Sequence, residues 1–134
     1  MKIPSEGQLL RIFIGESNKY KGKPLYEWIV IKAKEHGLAG ATVLRGIMGF
    51  GANSRVHTSK ILRLSLDLPI IVEIVDTHEK ISDFLAYIDS AIEEGLVTLE
   101  KADVQFYKGA DQAKNRSKDS VKNNFVEFAP TGEK

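Results

Sequence analysis

The chain contains no cysteine. Disulfides, thiolate zinc sites and cysteine nucleophiles are thereby excluded, and the composition fits a cytoplasmic protein. No stretch approaches the ~18 uninterrupted apolar residues of a membrane span. Charge of either sign is not in excess: 19 Lys and Arg stand against 18 Asp and Glu, a net +1. A global basic field is therefore missing, as is an RNP-like set of exposed strand aromatics, and a nucleic-acid partner is not expected. The chain also lacks a GxSxG elbow, an HExxH pair and a phosphate-binding Walker loop. His36, His57 and His78 are far apart in sequence and form no local metal motif, although subunit contacts could assemble one. Asp67 and Glu73 share a strand face but lie about 20 Å apart, while Glu73 and Asp76 point to opposite faces. No catalytic residues and no resident metal are expected.

The 134 residues suffice for one domain with a real core, and 43% hydrophobic with 28% charged is ordinary for a globular protein. Residues 8–15 alternate, with Leu10, Ile12 and Ile14 on one face and Leu9, Arg11 and Phe13 on the other. Arg11 interrupts the apolar run and no small-residue cleavage site follows, so this reads as a strand rather than a signal peptide. A polar link leads to Pro24, well placed in a first helical turn. Residues 24–36 then carry Leu25, Trp28, Ile29, Ala33 and His36 on one stripe, and Gly37 stands where a left-handed C-cap is expected. Ile31 lies off that stripe and hints at a second buried surface.

Two apolar strands follow, over 41–48 and 68–75. Asp76 and Glu79 are spaced as a capping-box variant. Ile81, Phe84, Leu85, Ile88 and Ile92 then mark the clearest amphipathic helix, ended by Gly95, before extended chain over 96–107. From Lys108 the sequence turns polar, up to a small apolar island of Phe125, Val126 and Phe128. A domain of residues 1–108 with a tail over 109–134, able to dock on a neighbour, is the expected organisation.

The order strand, helix, strand, strand, helix, strand is the split βαβ arrangement. The expected class is α+β: a ferredoxin-like βαββαβ sandwich, with a four-stranded antiparallel sheet and both helices on one face. Each helix is read as a crossover between parallel neighbours. Apolar residues on both faces of several strands imply that the open face is covered by association, so a homo-oligomer is expected.

Between the central strands lies a polar joining segment, long for sheet neighbours and therefore a functional candidate. Gly46, Gly49 and Gly51 crowd its entrance, where glycine permits φ > 0 and close backbone approach. The same cluster could instead form a bulge that bends the sheet edge. Arg45 is placed either to reach a phosphate or to pair with a carboxylate such as Glu73. His57 could bond a ligand base or a partner, or simply be solvated. His36 suits a helix C-terminus, and His78 a solvent-facing helix start.

GATV at 40–43, GFG at 49–51, His57 with Thr58, and DLPIIVEIV at 67–75 resemble the PII signalling proteins. The match extends to a PII-like family of unknown function, through PLYEWIV at 24–30, HGLAGATVLRGIMGFG at 36–51 and DTHEKI at 76–81, and covers roughly residues 8–107. The resemblance implies a non-catalytic homotrimeric regulator that binds ATP or ADP in clefts between subunits and needs no covalent cofactor. It also implies a mobile loop, here about residues 52–66, that docks on a regulated target such as a membrane transporter or channel. Carried over by position, Gly49, Phe50, Gly51 and Asn53 would lie at the loop base near the nucleotide, and Leu68, Pro69 and Glu73 on the third-strand wall. Arg45, Gly46 and Lys108 complete the expected nucleotide set. Asn53, Ser54, Arg55, His57, Thr58 and Lys60 would present the partner-binding loop. Departures are also visible: Ala52 replaces the arginine after GFG, residues 93–101 keep only Gly95 of a Gly-rich phosphate loop, and Lys108 stands in for paired arginines. No tyrosine occurs between Tyr26 and Tyr87, so control through a modified loop tyrosine is not expected. Two other classes fit the same topology, a small ferredoxin-like enzyme with an inter-subunit active site and a metal-responsive trimer like the divalent-cation tolerance proteins.

Overall fold

The computed structural model describes residues 6–52, 57–58 and 67–109. Its centre is a four-stranded sheet built from β1 (Glu6–Gly15), β2 (Thr42–Arg45), β3 (Pro69–Asp76) and β4 (Leu96–Asp103), in the order β2-β3-β1-β4. Every neighbouring pair is antiparallel. The helices α1 (Leu25–Glu35) and α2 (His78–Ile88) complete a ferredoxin-like α+β fold. The crossovers differ from expectation in one respect. Each helix links strands that are not sheet neighbours: β3 lies between β1 and β2, and β1 lies between β3 and β4.

The alternation in β1 does what its period dictates. Leu10, Ile12 and Ile14 are buried together with Ile70, Val72 and Ile74 of β3, against Leu25, Ile29 and Ala33 of α1 and Ile81, Phe84 and Ile88 of α2. Each fully buried Leu or Ile contributes about 1.5–3 kcal/mol over leaving it exposed. Both helices therefore cover one face of the sheet. Ile31 is exposed, so the second buried surface read from its position off the stripe is not formed within one chain.

The termini of the elements carry the corrections. Gly37 has φ +76 and ends α1 as the left-handed residue read from sequence. Lys19–Tyr20 pairs with Lys23–Pro24 across Lys21 (φ 52) and Gly22 (φ 82), a type I′ hairpin inside what reads as a mere polar link. The capping box at Asp76 does not form. Thr77 is the N-cap, and its side chain accepts from the Lys80 N–H at 3.2 Å. Asp76 is instead fully buried, with Oδ2 accepting from the Ala39 N–H at 2.9 Å and Oδ1 from the Thr77 N–H at 2.7 Å. A buried carboxylate that holds two backbone donors ties the α1–β2 connection to the start of α2. α2 ends at Ile88 and passes through a 3-10 turn, Asp89–Ala91, before Gly95. β4 stops at Asp103, short of Tyr107, whose hydroxyl donates to the Ala39 carbonyl.

Candidate functional site

β2 is shorter than its apolar run, and the reason lies in the glycines. After Arg45 the Gly46 N–H donates to the Pro69 carbonyl at 2.7 Å, and the chain then forms a two-residue ladder, Met48–Gly49 against His57–Thr58. Neither Gly46 nor Gly49 has positive φ; among the described glycines that conformation occurs at Gly22, Gly37 and Gly95. What the missing side chains provide is room for Pro69. A Cβ would lie 2.9 Å from the Pro69 Cγ at Gly46 and 2.8 Å from it at Gly49. The two glycines thus seat the proline ring that opens β3.

The turn after β1 bonds both ends of the segment that joins β2 to β3. At its entrance, Arg45 Nη2 donates to Glu16 Oε2 at 2.6 Å. At its exit, the Glu16 N–H donates to the Leu68 carbonyl and the Ser17 N–H to Asp67 Oδ1, each at 2.9 Å. Gly15 permits the second contact, because a Cβ there would fall 2.5 Å from Asp67 Oδ1. The Gly15 N–H in turn donates to Asn18 Oδ1 at 2.8 Å. Arg45 therefore pairs with Glu16, and the alternative pairing with Glu73 is not made.

Glu73 is engaged elsewhere. The strand registers place successive rows on the uncovered face of the sheet. Leu44, Ile71, Phe13 and Leu96 form one row across all four strands, and Thr42, Glu73, Arg11 and Thr98 form the next. Arg11 Nε donates to Glu73 Oε2 at 2.9 Å and Nη1 donates to Glu100 Oε2 at 3.1 Å. The Glu73 hydrogen bond raises the Arg11 pKa above its already high ordinary value, so the open face carries a permanent cation between two carboxylates. Leu44 and Leu96 are exposed, as are Ile47 (76%), Met48 (58%) and Phe50 (74%) beside the loop entrance. This is more apolar surface than scattered single residues would give.

Of the residues singled out from sequence, Arg45, Gly46, Gly49, Leu68 and Pro69 thus converge at one end of the sheet. Phe50 and Gly51 lie exposed just beyond. Glu73 stands four strand residues from Pro69, about 13 Å. Lys108 follows the far end of β4, with its ammonium 4.9 Å from the Phe106 ring centre. Neither joins the cluster within one chain. His57 and Thr58 sit in the ladder, whereas Asn53, Ser54, Arg55 and Lys60, like the tail from 110, lie outside the described residues. His36 Nδ1 donates to the Lys32 carbonyl, 2.9 Å away, and His78 is exposed near Ser82. Among the described residues no group of three or more His, Cys, Asp or Glu could hold a metal ion. No helix among them is long and apolar enough to cross a membrane.

Sequence reading missed Glu16, Ser17 and Asp67 as parts of the site. Their partners are 29 to 52 residues away, and no local pattern marks them.

A four-stranded antiparallel sheet in this order, with both helices on one face, is the ferredoxin-like fold of the PII-like proteins. The chain is similar in fold to CPII, a nitrogen regulatory PII-like protein from Thiomonas intermedia K12 solved with ADP, AMP and bicarbonate. That likeness has a TM-score of 0.58 at 17% identity and covers 74% of this chain and 88% of CPII. The protein belongs to the family DUF190, described as uncharacterized ACR, COG1993, whose model matches residues 7–104. A UPF0166 protein of Aquifex aeolicus (strain VF5) is 44% identical over 97 residues, covering 72% of this chain and 91% of that one. The UPF0166 protein MJ1524 of Methanocaldococcus jannaschii is 36% identical over 105 residues, covering 78% and 94%.

Proposed function

We propose that this protein is a non-catalytic, trimeric, cytoplasmic regulator that binds an adenine nucleotide in clefts between subunits and signals through the loop at about 52–66. The observation that carries the reading is the root of that loop, where the Arg45 cation is more than half exposed at the sheet end bordered by the exposed side chains of Ile47, Met48 and Phe50. An exposed guanidinium, with its forked donors, suits a phosphate group. The printed ligands of CPII, ADP and AMP, support the choice of nucleotide.

The open sheet face supports the trimer. Its apolar row of Leu44, Ile71, Phe13 and Leu96 is buried when copies pack face to face, and the Arg11 row supplies complementary charge. Arg45, Gly46, Gly49, Phe50, Gly51, Asn53, Leu68 and Pro69 then form one wall of the cleft. Glu73 and Lys108 enter from a neighbouring subunit. Nucleotide binding orders the loop, including Asn53, Ser54, Arg55, His57, Thr58 and Lys60, for a target such as a membrane transporter or channel.

Calorimetry with ATP, ADP and cyclic nucleotides at physiological salt tests this reading. Micromolar binding of at least one, lost in Gly51→Val with the fold intact, is expected. Failure of all of them to bind below millimolar concentration removes it.

A further inference from the structure

Arg45 already holds an anion. Its guanidinium donates to Glu16 Oε2 at 2.6 Å, with Glu16 less exposed (23%) than Arg45 (58%). The Glu16 carboxylate is held from behind, because its own N–H and that of Ser17 are fixed to Leu68 and Asp67 at the loop exit. One turn thus bonds the exit of the loop through its backbone and the entrance through a side chain. We infer that Glu16 is a built-in competitor of the ligand phosphate. It occupies Arg45 when the site is empty, and a nucleotide phosphate displaces it and thereby unclips the loop entrance from the β1–α1 turn.

The physical case is an exchange of partners. Phosphate and carboxylate both accept from a guanidinium in the same forked geometry, so Arg45 serves one at a time in full. The exit stays bonded in both states, since Glu16 and Ser17 hold it with main-chain donors. Only the entrance, from Arg45 to Gly49, changes its attachment. Occupancy at the phosphate position becomes a change in the tether of one loop end, which is the kind of local electrostatic event that drives a switch.

This inference rests on the nucleotide reading above, and a double-mutant cycle in ADP affinity separates the two. The full-length wild-type protein, Glu16→Gln, Arg45→Gln and the double variant are titrated with ADP by calorimetry. Gln is nearly isosteric with Glu, and the main-chain bonds of residue 16 do not depend on its side chain. Glu16→Gln is expected to bind ADP about two- to five-fold tighter, the range of an exposed ion pair removed from the competing state. Arg45→Gln is expected to bind more weakly, and the double variant to match Arg45→Gln, because Glu16 acts through Arg45. Unchanged or weaker binding by Glu16→Gln overturns the inference while the nucleotide reading stands. Equal tightening in the Arg45→Gln background also overturns it, by showing a general charge effect. Absence of ADP binding to the wild type removes the inference, and absence of binding by every adenine nucleotide removes both.

Discussion

Replacing Gly49 with alanine tests the packing at the root of the loop. The added Cβ would sit 2.8 Å from the Pro69 Cγ and 3.7 Å from its Cβ, where carbon atoms prefer about 3.5–4.0 Å. The ring cannot easily withdraw. Pro69 stands opposite Gly15 in the β1–β3 register, and its carbonyl accepts from the Gly46 N–H. Overpacking of this kind costs about 1–3 kcal/mol. Against it, an alanine at a position of ordinary φ restricts the unfolded chain and contributes roughly 0.4–1 kcal/mol. The net expected loss is about 1–2 kcal/mol, a melting temperature lower by roughly 3–8 °C for a chain of this length. Calorimetric melting at fixed protomer concentration measures it, since association would shift the transition. The companion Pro69→Ala removes the ring, so Gly49→Ala in that background is expected to be neutral or stabilising. Were Gly49→Ala as stable as the parent with Pro69 in place, the glycine would not be there for the proline, and the reasoning would be refuted.

Asp76→Ala takes the acceptor from the buried N–H of Ala39 and the half-buried N–H of Thr77 and is expected to lose roughly 2–4 kcal/mol, read as a lower urea midpoint. Thr77→Ala removes the helix cap and should cost about 1 kcal/mol, whereas Glu79→Ala should be close to neutral; the reverse ranking would restore the capping box. Arg11→Met leaves Glu73 and Glu100 unpaired on the open face and is expected to weaken self-association in sedimentation, with the helical layer unchanged by circular dichroism.

The fold was legible wherever one face of an element is dry. The two-residue period of Leu10, Ile12 and Ile14, and the helical period of Ile81, Phe84 and Ile88, report burial directly, and burial is what holds these elements together. Gly37 was legible for a different reason, since a positive φ is a demand of the local backbone. The cap was misplaced by one residue because Asp76 and Thr77 are both good cap residues. The tertiary partner Ala39, 37 residues back in the chain, decides between them. The site was legible only as a set of residue types. Glycine shows that a side chain is missing, but not that Pro69 fills its place. Arg45 shows a cation, but not that Glu16, 29 residues earlier, neutralises it. Such pairings depend on strand order, and strand order emerges once the whole sheet is assembled.

Sedimentation velocity of the full-length chain with a fluorescent ADP analogue tests most directly whether nucleotide and neighbouring subunits share one site. Fluorescence travelling with a species of three times the protomer mass, and lost on adding excess unlabelled ADP, is the expected result. Nucleotide left behind by a species of single-protomer mass would contradict it.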